Sequence, residues 1–576
     1  MKNAHYFFTF FLLLFISACS ESPPEPFLAV NLVGYPVSEA KIAMLVNAEA
    51  DSFSVVRRAD DTVIWSGKTG EKKEPDVATG DSLLILDFSA LKDEGEYYIK
   101  TNSDKPVTSY EFSIRNEVYN DILLKTLKSY YYHRCGTKVG TDNSWSYDYC
   151  HLDDAPFYTD HTETADVAGG WHDAGDYNKF SVNTALSSAL LLYLFDLKED
   201  HFTDGQLYIP ESGNGMPDIL DELKWALNWM MKMQRHDGAV YHKVSQKKWI
   251  GEYLPHEDPA VRYLFETSTA ATASFTAVSA LAARLFRDYD PDYSDVLQKS
   301  ALRGWGYLIK NPVNKPLDGF KNPPDVSGGE YGDKDDRDER LWASVELFRL
   351  TEEESFLTYF RESYRYQLDS GLAPISWRTA QNLAFHSYLE MNPHNSSLGA
   401  ERILIKKAFL EYSDGILQVH KKNNYRNLIR HTEYYWGSNS VGLAYAFDLI
   451  QAYRLTGLEK YNIAALDQLH FILGRNPLNL SMVTGAGSKY VSKPYHQLSE
   501  VGDFDNAVPG MLVGGPNNHV HHRNKELSPF PAKNYQDTFQ NFYVNEAAIN
   551  FTAIFAYVVG NYSFNDSNNS HYTLSK

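Results

Sequence analysis

Two acidic features, far apart in the chain, have the residue types and spacing for hydrolytic chemistry. The string Gly169-Gly170-Trp171-His172-Asp173-Ala174-Gly175-Asp176-Tyr177 holds two carboxylates three positions apart. Its glycines permit a tight turn and a close approach of a ligand to the backbone. Two neighbouring carboxylates can hold and deprotonate one water. Near the C-terminus, Tyr535-Gln536-Asp537 precedes Phe542-Tyr543-Val544-Asn545-Glu546-Ala547-Ala548. Glu546 is expected to open an apolar helix running to Tyr557. A Glu in apolar, aromatic surroundings has a physical reason to keep its proton near neutral pH. A base facing a protonated acid is the equipment of glycoside hydrolysis. The plainer alternatives are a helix cap or calcium loop for Asp173 and Asp176, and a charge favourably placed at a helix N-terminus for Glu546.

Cysteine and histidine supply a second constellation. Cys19 belongs to the N-terminal segment, which leaves Cys135 and Cys150, with His151 beside the second and His172 inside the glycine-rich string. Two thiolates and two imidazoles make the tetrahedral shell of a structural zinc site. A Cys135–Cys150 disulfide is the alternative natural to an exported protein.

The patterning of the chain indicates what must position these groups. At 576 residues, the prior is several domains, or one very large domain with a smaller one. Short runs rich in Val, Ile, Tyr and Phe at 28–32, 41–46, 52–57, 63–66, 82–87, 95–101 and 110–114 are separated by turn residues. That spacing predicts an antiparallel, immunoglobulin-like sandwich over 27–115. From 116 to 576 the period changes to 3.6 residues. The segment 216–234 is the clearest case: Ile219, Leu220, Leu223, Leu227 and Met230 share one face, and Pro217 suits a first turn. Further helices are expected at 117–134, 181–197, 267–286, 294–310, 338–350, 353–362, 375–391, 399–415, 437–456, 459–474 and 543–560. Twelve helices without intervening strands suit an (α/α)6 barrel. Long polar loops at 135–180, 311–336 and 475–542 are the places to look for function.

The N-terminus reads MKNAHYFFTFFLLLFISACSESPPEP. Its apolar run, 7–16, is too short to span a bilayer as a mature helix. It ends in Ile16-Ser17-Ala18-Cys19, which resembles a bacterial lipobox. This predicts a signal peptide over 1–18, lipidation of Cys19, a polar tether over 19–26 and an address at the bacterial cell envelope. An ordinary secretory signal is the alternative. The net charge of −20 speaks against nucleic acid and anionic membrane surfaces as partners. The 14% aromatic content, with 40 Tyr, fits rings that stack on sugar faces, although large cores also use them.

The motifs then converge on a family. GGWHDAGDYNKF, IPESGNGMPDILDE, MQRHDGAVYHKV, STAATASF, YGDKDDRDERLWASVELFRLT, YWGSNS, LGRNPLNLSMVTGAGS and VPGMLVGGPN occur in order, followed by the pattern around Tyr535, Asp537, Phe542 and Glu546. The chain resembles glycoside hydrolase family 9, in the subgroup with an N-terminal immunoglobulin-like domain, from about residue 27 to 560. The resemblance implies inverting hydrolysis of β-1,4-glucans, with Asp176 as general base, Asp173 as its partner in holding water and Glu546 as general acid. It implies structural zinc on Cys135, Cys150, His151 and His172. It also points to calcium near Asp333, where Asp335, Asp338 and Glu339 are the candidate ligands. Relatives often carry Trp-Asp where this chain has Trp377-Arg378, which weakens the calcium site.

The largest departure concerns substrate binding. Where the family reads Pro-His-His-Arg, this chain reads Pro494-Tyr495-His496-Gln497. Tyr495, His496 and Gln497, with Trp436, are the candidate sugar contacts. Loss of a guanidinium should change what is gripped there. His521-His522-Arg523 lies too far along the chain to align with that motif. Thr552 stands where the family usually has Asn. The leading expectation is an endo-acting, lipid-anchored β-1,4-glucanase on cellulose-like, mixed-linkage or xyloglucan chains. The alternatives are an exo-acting cellodextrinase, an exo-β-glucosaminidase acting on chitosan oligosaccharides, and an inactive glycan-binding lipoprotein.

Overall fold

The computed structural model describes residues 25–140, 145–392, 399–502, 504–518 and 527–564. The expected signal peptide, Cys19 and His521-His522-Arg523 lie outside the described residues.

The first part of the chain is a two-sheet sandwich. Its strands are β1 (Phe27–Ala29), β2 (Gly34–Tyr35), β3 (Ile42–Val46), β4 (Ser52–Arg57), β5 (Thr62–Lys68), β6 (Lys72–Lys73), β7 (Leu83–Asp87), β8 (Gly95–Thr101) and β9 (Phe112–Ile114). One sheet has the order β1-β3-β7-β6, the other β2-β9-β8-β4-β5. All pairs are antiparallel except β2–β9. The sequence signal found seven of these strands. It missed the two-residue pairings β2 and β6, which are too short for an alternation to register. The period of two has a physical reason in β3. Ala43 and Leu45 enter the core between the sheets, whereas Met44 and Val46 enter the core of the helical part.

The helices are α1 (Asn120–Tyr131), α2 (Ser181–Lys198), α3 (Asp218–Lys232), α4 (Thr269–Phe286), α5 (Pro291–Lys310), α6 (Arg337–Thr351) and α7 (Glu354–Ser370). They continue with α8 (Gln381–Glu390), α9 (Glu401–Lys422), α10 (Ser438–Thr456), α11 (Glu459–Ile472), the short α12 (Gln497–Val501) and α13 (Phe542–Asn545), and α14 (Ile549–Asn561). Helices α2, α4, α6, α8, α10 and α14 each pack on the next, and α14 closes the ring on α2. Outside it, α1 leans on α14, α3 on α2, α5 on α4, α7 on α6, α9 on α8 and α10, and α11 on α10.

Composition explains the two layers. Ring helix α4 is built of Ala, Ser, Thr and large apolar residues and is buried almost all round. It is long and apolar enough to cross a membrane, yet it sits inside the protein. Outer helix α5 buries only the stripe Ser294, Leu297, Ser300, Ala301, Gly304 and Leu308. Both helices start on side-chain caps: Ser268 accepts from the Ala271 amide and Asp290 from the Tyr293 amide.

Two expectations need correction. Strands do interrupt the helical part: β10 (Lys179–Phe180), β12 (Lys243–Gln246) and β13 (Arg262–Leu264) form one small sheet, and β11 (Val240–Tyr241) pairs with β14 (Thr267–Ser268). Glu546 does not open a helix. Helix α13 stops at Asn545, and Glu546 is extended (φ −71°, ψ 129°) before α14 begins at Ile549. Long-range pairing overrides the local helical pattern, since Glu546 forms a parallel bridge with Tyr495 and Ala547 an antiparallel one with Val513.

Candidate active site

The turn that carries Asp173 and Asp176 is held by backbone on every side. Gly170 has φ +75°, and a Cβ there would lie 2.6 Å from the Trp229 ring, so no other residue fits. The Asp173 amide donates to the Asn178 carbonyl (2.9 Å) and closes the turn. The Ile549 amide at the start of α14 donates to the Asp173 carbonyl (2.9 Å), and the Gln497 amide donates to the Gly175 carbonyl (2.9 Å). Gly175 faces Tyr495 so closely that a Cβ would sit 2.2 Å from its ring.

Each carboxylate has its own partners. Asp176 accepts from the Asn178 amide (3.1 Å) and from Asn178 Nδ2 (2.6 Å). Asn178 is fixed in turn by the Gln246 amide of β12 (2.9 Å). Asp173 Oδ2 accepts from Asn183 Nδ2 of α2 (3.1 Å) and from the Tyr331 hydroxyl (3.2 Å). Its Oδ1 is buried and has no partner among the described residues. The Glu546 carboxyl is approached by the Gly175 amide and the Trp436 side chain. The turn and Glu546, separated by most of the helical part in sequence, thus meet at one point.

Burial raises all three acids. It pushes Asp173 up to about 8, with the Asp176 charge adding and Asn183 and Tyr331 opposing. Asp176 is also raised by burial, but its Asn178 hydrogen bonds and the charges of Lys243 and Arg262 pull it back. Glu546 is raised well above the carboxylate range by burial and then by the charges of Asp176 and Asp173. The arrangement favours a proton on Glu546 and a charge on Asp176.

Glu546 lies in the wall of a cavity of about 770 Å³, whose lining includes Tyr331, Trp377, Arg378, Tyr435 and Trp436. Trp436, 42% exposed, is positioned as an aromatic platform. The other expected sugar contacts are placed differently. Tyr495 is half-buried between Gly175 and Phe542, whereas His496 and Gln497 are buried. His496 Nδ1 lies 2.8 Å from Ser499 Oγ, and its ring is 5.0 Å from that of His133. Gln497 Oε1 accepts from the Tyr253 amide (3.4 Å). These two side chains brace the loop that supports Gly175.

Cys135, Cys150, His151 and His172 converge, with one donor atom from each lying within 4.8 Å of the others. The cysteines are free thiols, so the disulfide alternative is not realised. Cys135 Sγ is 3.8 Å from His151 Nδ1, close to the edge of a tetrahedron around zinc with arms of about 2.0–2.3 Å. His172 Nε2 is buried without a partner. Burial keeps the His172 imidazole neutral, lowering it to about 4, as a ligand must be. Burial alone would raise the Cys135 thiol, but the Cys150 hydrogen bond and the charges of Lys179 and Arg262 hold it well below its usual range. Asp258 Oδ2 stands 3.5 Å behind His151 Nε2, the carboxylate backing typical of metal-bound imidazole. This donor set fits a four-ligand zinc ion.

The acidic run expected to take calcium forms no comparable group among the described residues. Asp335 is paired with Arg337, Asp336 with Arg340, and Asp338 accepts from the Ala380 amide (2.8 Å). Burial, followed by the charges of Asp338 and Asp333, raises Glu339 well above the carboxylate range. Asp333 Oδ2 and Glu339 Oε2 are buried there without a partner among the described residues.

The model for glycosyl hydrolase family 9 matches residues 119–559, and that for the cellulase N-terminal ig-like domain matches residues 24–106. The chain belongs to glycosyl hydrolase family 9. Endoglucanase D of Acetivibrio thermocellus is 33% identical, over 94% of this chain and 81% of the relative. A cellodextrinase of Butyrivibrio fibrisolvens is 32% identical, over 90% of this chain and 96% of the relative. The crystal structure of a metagenome-derived glycoside hydrolase family 9 endoglucanase superposes with a TM-score of 0.87 at 34% identity, covering 93% of this chain and 99% of that one.

This family 9 site also contains residues that reading the sequence missed. Asn178 had a local signal, because an Asp-x-Asn step favours a side-chain-closed turn. Asn183 had none, and Tyr331 only its place in the loop 311–336 and at the head of YGDKDDRDER. They reach Asp173 from the first turn of α2 and from a loop far along the chain.

Proposed function

We propose that this family 9 chain is an endo-acting glycoside hydrolase that cleaves β-1,4-glucosidic bonds in glucans with inversion. It divides into an immunoglobulin-like domain at 27–115 and an (α/α)6 barrel at 116–576. Asp176 is the general base, Asp173 helps it hold the attacking water, and Glu546 is the general acid. The observation that carries this assignment is that Tyr495, packed on Gly175 of the turn that bears both aspartates, forms a backbone bridge with Glu546 at the wall of an aromatic cavity.

Chemically, Glu546 delivers its proton to the leaving oxygen as Asp176 takes one from water attacking the anomeric carbon. Inversion requires a gap of about 6.5–9.5 Å between acid and base, room for a sugar and a water. Asp173 Oδ1, an acceptor without a protein donor, is available to that water. Trp436 gives the sugar a ring face and its side chain fixes the acid. The zinc that Cys135, Cys150, His151 and His172 would hold is structural, because four protein ligands leave no place for substrate. Through these four ligands it would tie His172, the residue before Asp173, to Cys135, Cys150 and His151.

The product profile tests this reading. Carboxymethylcellulose, mixed-linkage glucan and xyloglucan should lose viscosity before reducing ends accumulate, and the first-formed anomer should be inverted. The second reading, an exo-acting cellodextrinase, is favoured by the Butyrivibrio relative's name and by Tyr495 standing where the family pattern has His. It predicts release of short products from cellotetraose without loss of polymer viscosity. We further propose that Cys19 carries a lipid anchoring the enzyme in the bacterial cell envelope. The support is the string Ile16-Ser17-Ala18-Cys19. Radiolabelled palmitate should enter the wild type and not Cys19→Ala.

A further inference from the structure

Lys243 is fully buried on β12, one strand away from the turn. Its Nζ donates to Asn322 Oδ1 (2.6 Å) and to the Gly329 carbonyl (2.9 Å) and makes no ion pair among the described residues. Three rings surround it: Phe265 at 4.6 Å, with Phe180 and Phe320 each at 5.6 Å. An ammonium in such a place is costly unless its charge does something. The two other buried cations of this region are already matched: Lys179 and Arg262 both pair with Asp154, and Arg262 also donates to Cys135 Sγ. The acids that act on Lys243 are Asp176 and Glu330, and Glu330 is exposed to solvent.

The hydrogen bonds of Lys243 lead to the other aspartate as well. Gly329 is followed by Glu330, whose carbonyl lies 2.9 Å from His242 Nε2, and then by Tyr331, whose hydroxyl donates to Asp173. Asn322 ties the same loop together, its Nδ2 donating to the Gly328 carbonyl (2.7 Å) and its amide to Glu330 (2.9 Å). One side chain therefore lies on the strand beside the turn and reaches Asp173 through a loop.

We propose that Lys243 is a positioning residue of the hydrolysis, placing its unpaired buried charge on the strand beside the turn that carries Asp176 and, through its bond to Gly329, holding Tyr331 against Asp173. This rests on the assignment of Asp176 as base. The charged and titratable groups around Asp176 are Asp173 and Glu546, which its charge raises, Lys243 and Arg262, which favour its ionisation, and the tyrosines Tyr177, Tyr331 and Tyr495. Burial lowers the Lys243 ammonium to about 8, so it stays charged wherever Asp176 titrates on the acid side.

The test is the pH profile of kcat/KM, whose acid limb reports the base of the free enzyme. Lys243→Met replaces the ammonium by an apolar side chain suited to the three rings. Its acid limb should move up by about one pH unit, so that kcat/KM at a pH below the limb falls about tenfold. Lys243→Arg should return the limb towards its wild-type position. Should Lys243→Met fail to fold, judged by near-UV circular dichroism, Lys243→Gln decides on the same limb, since it keeps a donor for Gly329 and loses the charge. A neutral variant that folds and keeps the wild-type limb overturns the proposal, whatever its rate. Asp176→Asn measured alongside separates the two readings. Turnover at the wild-type rate in that variant would remove Asp176 as base, whereas an inactive Asp176→Asn with an unmoved limb in Lys243→Met removes only the role of Lys243.

Discussion

Replacing Gly175 by Ala should inactivate the enzyme without unfolding it. A Cβ at this position would lie 2.2 Å from Tyr495 Cδ1, 2.5 Å from Cε1 and 2.6 Å from the Tyr495 carbonyl oxygen. Ordinary contact begins near 3.4 Å, so the ring must retreat by about 1.2 Å and the backbone by about 0.8 Å. The ring alone cannot relieve the clash, because the carbonyl is part of it. Tyr495 is bonded to the strand carrying the proposed acid: its amide donates to the Asn545 carbonyl (2.8 Å), and its own carbonyl accepts from the Ala547 amide (3.4 Å). Moving Tyr495 therefore moves Glu546 relative to Asp176. A misplacement of about 1 Å costs roughly a hundredfold in rate, and the overpacking itself costs about 1–3 kcal/mol of stability. The expected result on cellotetraose is kcat down about a hundredfold with a cooperative melt retained at lower temperature. Gly169→Ala is the control. Its φ of +105° brings strain, but its Cβ would meet nothing within 4 Å, so it should lose stability and keep most of its kcat. If Gly175→Ala keeps kcat within a few-fold of wild type, the geometric coupling of turn and acid is wrong.

Other outcomes follow from the same structure. Asp176→Asn and Glu546→Gln should each lower kcat by about 10²–10⁴-fold while leaving the circular dichroism spectrum unchanged. The kcat/KM profile should be a bell: activity is lost as pH falls through the raised Asp176 and again as it rises through the more strongly raised Glu546, and its acid limb should stand above the usual carboxylate value of about 4. A zinc-specific chelator should remove one metal per chain and lower the melting temperature, with both reversed by added zinc; chelator-treated protein with unchanged zinc content and melting would remove the metal assignment. Asp467 accepts from Arg475 (2.7 Å), His420 (2.8 Å) and Arg426 (2.7 Å), and Arg475 is fully buried. Despite burial, these partners hold the Asp467 carboxyl well below its usual range. Its contribution is therefore complete above the unfolded value near pH 4 and is lost as pH falls further. Asp467→Ala should cost about 3–5 kcal/mol at neutral pH, and its deficit in urea titrations should shrink towards pH 3.

The helices were legible because most outer ones carry a one-sided stripe and most ring ones are apolar over their whole length. The carboxylates were legible because two of them share a glycine-rich turn. What the sequence hid was produced by distant pairing. Residues 543–548 have helical composition, yet Glu546 is extended because Tyr495 bonds to Asn545 and Ala547 on either side of it and the Gly514 amide donates to its carbonyl. The short strands β10, β12 and β13 left no alternation long enough to see, although they carry Lys243 and set Asn178 against Asp176. Tyr331 lay in a loop and a motif that were marked as a whole, with nothing to single out its hydroxyl. His496 and Gln497 stand in a motif that departs from its relatives, but position in a motif does not tell whether a side chain faces solvent or protein, and both are buried.

Strand β3 has a consequence for how this enzyme can be taken apart. It shows one set of side chains to its own sheet partner layer and the alternate set, Met44 and Val46, to the helices. Cutting the chain near residue 116 would strip both halves of a shared oily seam. At about 25 cal/mol for each Å² of apolar surface uncovered, neither half would be left with the solubility that its own outer face implies. The sandwich is thus a wall of the catalytic body and not a detachable accessory, and trimming it away is a poor route to a minimal hydrolase.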